Sequence, residues 1–169
     1  MKTFKLLALA ALLAIAACKA APKAPPTSRE IYPDPSQAKS DLAAALNTAA
    51  KTHKRILVDF GGNWCGDCKV LDLYFHAPAI QPILEANFVL VDVNVGHVDA
   101  NLDIAEKYGV PLSKGVPALA VLSENGTLLY SQKGGEFESM SHMDPSAVTS
   151  FLVQWEPTGP NCSTTVVSC

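Results

Sequence analysis

The sequence predicts an α/β domain built on a mixed central sheet with helices on both faces. Three observations carry that prediction. Apolar, β-branched runs alternate along the chain with segments of helical periodicity. Two short apolar runs flank Glu124-Asn125-Gly126, a strong hairpin signal, and a helical segment follows them. Finally, Ile56-Leu57-Val58-Asp59-Phe60 leads through a Gly-containing turn into Cys65-Gly66-Asp67-Cys68, a strand that opens a helix.

The elements follow in order. Ser36 to His53 is an Ala-rich amphipathic helix with Leu42, Ala45, Leu46 and Ala49 on one side. Arg55 to Phe60 is a buried strand, and a second helix runs from Cys65 to about Phe75. Pro78 to Ala86 forms a short further helix that Pro82 limits or kinks. Phe88 to Val95 is β-branched and mostly apolar, which makes it a second strand. Asp99 to Tyr108 is a helix stopped by Gly109. Pro117 to Leu122 and Thr127 to Gln132 are the strands of the hairpin. Asp144 caps the last helix with Pro145 in its first position, and that helix runs to about Trp155 before Pro157. No internal repeat is present. The span 36–157, about 120 residues, suffices for one buried core.

The two ends read differently. Lys2 and Lys5 precede the apolar stretch Leu6 to Ala17, which is too short to span a bilayer as a mature helix. Residues 1–17 are therefore expected to be an export signal. Ile15-Ala16-Ala17-Cys18 resembles the lipobox of bacterial lipoproteins, which implies cleavage before Cys18 and lipidation of its sulfur. Ordinary signal cleavage after Ala16 is the alternative, and it leaves a free thiol. Residues 18–35 are rich in Pro, Ala and Lys and are expected to form an extended tether. The implied location is the periplasm, on a membrane through lipid, with Lys19 after the cysteine favouring the outer membrane.

Five cysteines are an odd number for an oxidising compartment. With Cys18 lipidated, four remain in two local pairs. Cys162 and Cys169, in the tail 158–169, are expected to close a structural disulfide; a second redox pair or a metal-binding tail is the alternative. The formal net charge is −3, and losing the two lysines of 1–17 makes the remainder more acidic. With no basic cluster outside the tether, nucleic acid is an unsuitable partner.

The chemistry centres on Cys65 and Cys68. At a helix N-terminus, unpaired N–H groups and the helix dipole favour a thiolate on the first cysteine. The second lies one turn further in, where a small disulfide ring can close. Other uses of the pair fit less well. Zinc would want a second ligand pair at suitable spacing, and the four histidines do not cluster in sequence. Haem attachment needs His after the second cysteine, and Lys69 stands there. Met140-Ser141-His142-Met143 has the residue types of a copper site, but it reads more simply as a mobile loop. Of the histidines, His76 is the one expected to be able to face the site.

Ile56 to Lys69, ILVDFGGNWCGDCK, resembles the active-site segment of thioredoxins, and Gly115-Val116-Pro117 resembles their cis-proline loop. The resemblance covers roughly residues 40–156 and implies a thioredoxin fold. It further implies that Cys65 is the nucleophile, Cys68 the resolving cysteine and Asp59 the buried acid that exchanges a proton with Cys68. Trp64 would shield the nucleophile. Pro117 would lie against the disulfide, and Val116 would offer its backbone to an extended substrate.

Departures from the family are also legible. Asp67 replaces the proline between the cysteines; its charge opposes a Cys65 thiolate, which favours a more reducing couple, while loss of the proline's stiffness pushes the other way. Gly61 replaces a tryptophan and is expected to open the surface. The loop before Pro117 is longer, and Asp92 replaces a lysine on the neighbouring strand. If Asp92 approaches Asp59, the two acids raise each other's pKa.

The expected function is thiol–disulfide exchange with protein substrates that carry disulfides or thiols, more as reductase than oxidant. No bound cofactor is required. Electrons would come from a membrane-embedded thiol relay. Two alternatives stay open: a non-catalytic binding module on the same fold, and a thiol-dependent assembly factor for cytochromes or metal sites.

Overall fold

The computed structural model describes residues 30–157. The expected signal segment 1–17, Cys18 with its lipidation, tether residues 18–29, and the tail 158–169 with Cys162 and Cys169 lie outside the described residues. Four strands organise the domain: β1 (Arg55–Gly61), β2 (Phe88–Asn94), β3 (Ala118–Leu122) and β4 (Leu128–Ser131). Their spatial order is β2-β1-β3-β4. β1 runs parallel to β2 and antiparallel to β3, and β3 pairs antiparallel with β4. The sheet is therefore mixed, as the alternation of elements predicts.

Side chains alternate across β1 and feed two cores. Ile56, Val58 and Phe60 pack with Leu42, Ala45 and Ala49 of helix α1 (Ala38–Thr52). Ile104 and Ala105 of helix α4 (Leu102–Lys107) close the same core. Leu57 joins the opposite core. There it meets Leu71 and Phe75 of α2 (Gly66–Phe75), Leu84 of α3 (Gln81–Asn87), and Val148, Phe151 and Leu152 of α5 (Pro145–Gln154). Helices thus cover both faces. Asp144 caps α5 by accepting the Ser146 N–H at 2.8 Å, with Pro145 in its first turn.

Several elements differ from their sequence expectation, each for a local reason. Pro82 does not kink α3. It stands in the first turn, where a missing N–H costs nothing. α4 is shorter than Asp99 to Tyr108 because Val95 and Asn101 turn the chain first: Asp99 and Ala100 donate to the Val95 carbonyl, and Asn101 takes a left-handed conformation at φ 54°. The loop before Pro117 contains a 3-10 turn, Leu112–Lys114, and buries Tyr108, Val110 and Leu112. Residues 140–143 hold a short regular turn. Met140–His142 is a 3-10 turn with Met140 in the core, which removes that sulfur from any copper site.

The largest correction concerns residues 30–35, assigned by sequence to the tether. Tyr32 is only 1% exposed and belongs to the core beside Phe60 and Cys68. Its ring occupies the space next to Gly61. A Cβ on Gly61 would lie under 3.0 Å from the Tyr32 ring and from Cys68 Sγ. Gly61 therefore does not open the surface; its missing side chain admits a tyrosine from the N-terminal segment. Gly61→Ala should destabilise the domain by about 1–3 kcal/mol through overpacking, measured by urea denaturation. Unchanged stability would mean that Tyr32 is not packed there.

Candidate active site

β1 ends at Gly61, and after three intervening residues Cys65 takes the N-cap position of α2 in extended conformation. Its sulfur substitutes for the usual capping oxygen and accepts the Cys68 N–H at 3.0 Å. Cys65 and Cys68 are joined as a disulfide, with Cα atoms 5.3 Å apart. The dipole and free N–H groups of α2 bear on Cys65, as the sequence argument requires. Cys68 is fully buried, and Cys65 is nearly so.

The loop before β3 approaches from the other side. The Val116–Pro117 peptide is cis, and Cys65 Sγ lies 3.5 Å from the Val116 carbonyl oxygen. Gln132 braces this loop from within. Its Oε1 accepts from Leu119 N at 3.1 Å and its Nε2 donates to the Pro117 carbonyl at 3.5 Å. Proline has no N–H, so a side-chain amide continues the pairing where the ladder ends. Nothing in the sequence around Gln132 singles it out except its place at the end of a strand.

Asp59 is 2% exposed, deep in β1. Its Oδ2 accepts the Tyr32 hydroxyl at 2.7 Å, while Oδ1 has no hydrogen-bond partner among the described residues. Burial pushes its carboxyl well above the ordinary carboxylate range. Asp92, directly opposite in the β1–β2 register, and Asp72 push the same way, while the Tyr32 hydrogen bond pulls against them. Burial and the neighbouring Asp59 likewise drive the Tyr32 phenol far above its usual range, so it stays protonated and donates.

Trp64 is 49% exposed. Its Nε1 donates to the Gly96 carbonyl at 2.5 Å, and its ring stacks on His97 with centroids 5.3 Å apart. His97 is thus the histidine at this face. His76 stands at the far end of α2, where its Nδ1 contacts Asp72, so it does not face the disulfide. Sequence spacing favoured His76 because helix proximity is legible, whereas the turn that lifts His97 onto Trp64 is not. Asp67 accepts the Ser141 N–H at 2.8 Å. That bond and the Ser141 hydroxyl hold its carboxyl below the ordinary range, so Asp67 carries its charge in the first turn of α2. Among the described residues, no three His, Cys, Asp or Glu side chains converge as metal ligands.

Four similarities accompany this geometry. A family model described as Thioredoxin-like matches residues 37–123. A solved structure, a disulphide isomerase from Xylella fastidiosa Temecula1, superposes with a TM-score of 0.72 at 30% identity, covering 76% of this chain and 98% of that one. A protein disulfide-isomerase of Datisca glomerata is 30% identical over 111 residues, 62% of this chain. A thioredoxin of Mycoplasmoides gallisepticum is 43% identical over 51 residues, 30% of this chain. The matched segment spans only 21% of the Datisca protein and 50% of the Mycoplasmoides one.

The raised Asp59 pKa has a stability consequence. A carboxyl whose folded pKa exceeds its unfolded value contributes stability that is complete below the unfolded pKa and is lost as pH rises through the folded pKa. Asp59→Asn should therefore unfold at higher denaturant than the parent above the ordinary carboxylate range, with the gap closing as pH falls towards it. A gap independent of pH between 4 and 9 would contradict a raised Asp59 pKa.

Proposed function

Since the chain belongs to the thioredoxin-like family, we propose that it is a thiol–disulfide oxidoreductase acting on protein substrates, in the reducing direction. The single observation that carries the reading is the Cys65–Cys68 disulfide at the start of α2, set against the cis Val116–Pro117 loop. In the reduced protein, the Cys65 thiolate attacks one sulfur of a substrate disulfide. The first substrate sulfur leaves as a thiolate, and Cys65 is left in a mixed disulfide with the other. Cys68 gives its proton to Asp59 and attacks Cys65 Sγ. The mixed disulfide breaks, the second substrate thiolate departs, and the Cys65–Cys68 bond is restored.

The residues around the pair support distinct roles. Val116 offers a backbone carbonyl beside Cys65 to an extended substrate, with Pro117 lying against the disulfide. Trp64 and His97 form an exposed aromatic surface next to the nucleophile. The ionised Asp67 opposes a thiolate on nearby Cys65, and a less stabilised thiolate favours the disulfide form. That supports the reducing direction.

The proposed setting is the bacterial envelope. The apolar segment 6–17 and Cys18 support export and lipid attachment in the periplasm, with the outer membrane favoured by Lys19. A membrane thiol relay would then supply electrons. Cys18→Ala should abolish incorporation of radiolabelled palmitate in cells. Label retained in that variant would remove the anchor from the account.

Insulin reduction with dithiothreitol as electron source tests the activity. The parent should accelerate precipitation of the insulin B chain, and Cys65→Ser should abolish the acceleration. Cys68→Ser should accumulate a mixed disulfide with substrate, visible on a non-reducing gel. A parent that does not accelerate the reaction, with its disulfide resisting dithiothreitol, would leave a binding module on the same fold.

A further inference from the structure

Residues 31–35 lie along the domain as a strap held by three asparagine side chains. Asn63 Oδ1 accepts from Ile31 N at 2.9 Å and from Tyr32 N at 3.0 Å, and its Nδ2 donates to the Tyr32 carbonyl at 2.8 Å. Asn94 Nδ2 donates to the Pro33 carbonyl at 2.8 Å, and Asn101 Nδ2 to the Pro35 carbonyl at 2.9 Å. These bonds grip backbone atoms. The Tyr32 side chain runs inward, and its hydroxyl donates to Asp59 Oδ2 at 2.7 Å. The point where a Cβ on Gly61 would stand lies under 3.0 Å from Tyr32 Oη, from Tyr32 Cζ and from Cys68 Sγ. Phenol and resolving sulfur therefore meet beside one glycine, and the carboxylate is bonded to that phenol.

We propose that Tyr32 is a positioning residue of the thiol–disulfide site: its hydroxyl fixes the Asp59 carboxylate as acceptor of the Cys68 proton, and Asn63 holds Tyr32 in place. This assignment rests on the thiol-exchange reading above. The groups acting on Asp59 are Tyr32 from the strap, Asp92 from β2 and Asp72 from α2, and Cys68 Sγ lies beside Tyr32 at Gly61. Burial disfavours an ionised Asp59 most, and two of these groups are acids that add to it. The Tyr32 hydroxyl donates a hydrogen bond that favours the ionised form. A neutral phenol placed this way donates without adding charge. Asp59 Oδ1, unpartnered among the described residues, is the oxygen left to take the proton.

The proton step balances within the chain. The Cys68 S–H bond breaks and its proton moves to Asp59. The electron pair stays on sulfur and forms the new bond to Cys65 Sγ, and the pair of the broken mixed disulfide leaves on the substrate sulfur. Tyr32 keeps its own proton throughout. Without its hydroxyl, Asp59 would hold a proton up to a higher pH and could accept one from Cys68 only in a more alkaline range.

The test uses the full chain with Cys18, Cys162 and Cys169 each replaced by Ser, so that only one thiol pair titrates. The Asp59 carboxyl is followed by carbon NMR against pH in the reduced protein, and insulin reduction is followed against pH in parallel. Tyr32→Phe, which keeps the ring, should move the Asp59 midpoint upward by about one pH unit, the order expected for loss of one hydrogen bond to a charged group. The acid limb of the turnover profile should move the same way. Asn63→Ala, which loosens the strap without touching Asp59, should reproduce both shifts and keeps the question open to test if Tyr32→Phe does not fold. An Asp59 midpoint unmoved in the folded variants overturns the assignment. Absence of insulin reduction in the parent would sink the exchange reading instead, while the NMR titration still decides whether Tyr32 controls Asp59.

Discussion

Cys65 is where the central strand becomes a helix, and that single transition sets the rest of the site. The strand must end early enough for the cysteine to become the N-cap of α2. Once there, its sulfur takes the role of a capping oxygen towards Cys68 N, and the helix brings Cys68 back to it. β1 is central in the sheet, so both neighbours bring groups to this point: β2 brings Asp92 into register with Asp59, and the loop before β3 brings Val116 against Cys65. A strand at the sheet edge could not collect groups from two sides.

The cost of this arrangement is a carboxyl group shut in the interior. Asp59 sits among apolar residues with a second acid opposite, and among the described residues Tyr32 donates to it. Gly61 and Asn63 both follow from that need. One leaves room for the phenol, and the other fastens the chain that carries it. The Gly-Gly-Asn stretch before Trp64 therefore shapes the interior as much as it makes a turn. Asp67 works outward, tying the Met140–His142 turn to the start of α2 through Ser141.

The fold was legible in the sequence because its signals are local. Strand runs, the Glu124-Asn125-Gly126 hairpin and the Asp144-Pro145 cap each depend on a few adjacent residues. Cys65, Cys68, Asp59, Trp64 and Pro117 were legible because they lie in motifs. What escaped depends on distant pairing. Tyr32 lies in a proline-rich stretch whose composition speaks of a tether, and its contact with Asp59 spans 27 residues. The pair Ile31-Tyr32, apolar and aromatic just before the Asp34 cap, was the available signal. His97 escaped because its approach to Trp64 depends on a turn with Val98 at φ 66°, which no propensity of a β-branched residue suggests. Gln132 escaped because a polar residue at a strand end ordinarily faces water.

The reduction potential of the Cys65–Cys68 pair decides whether this disulfide is a reversible couple poised for reduction of substrates. Equilibrating the full chain with dithiothreitol mixtures, in the background lacking Cys18, Cys162 and Cys169, gives that value. The expected potential is near that of thioredoxin, about −270 mV. A value near −120 mV would make the pair an oxidant and contradict the weight given to Asp67. A pair that excess dithiothreitol cannot open would contradict the redox reading altogether.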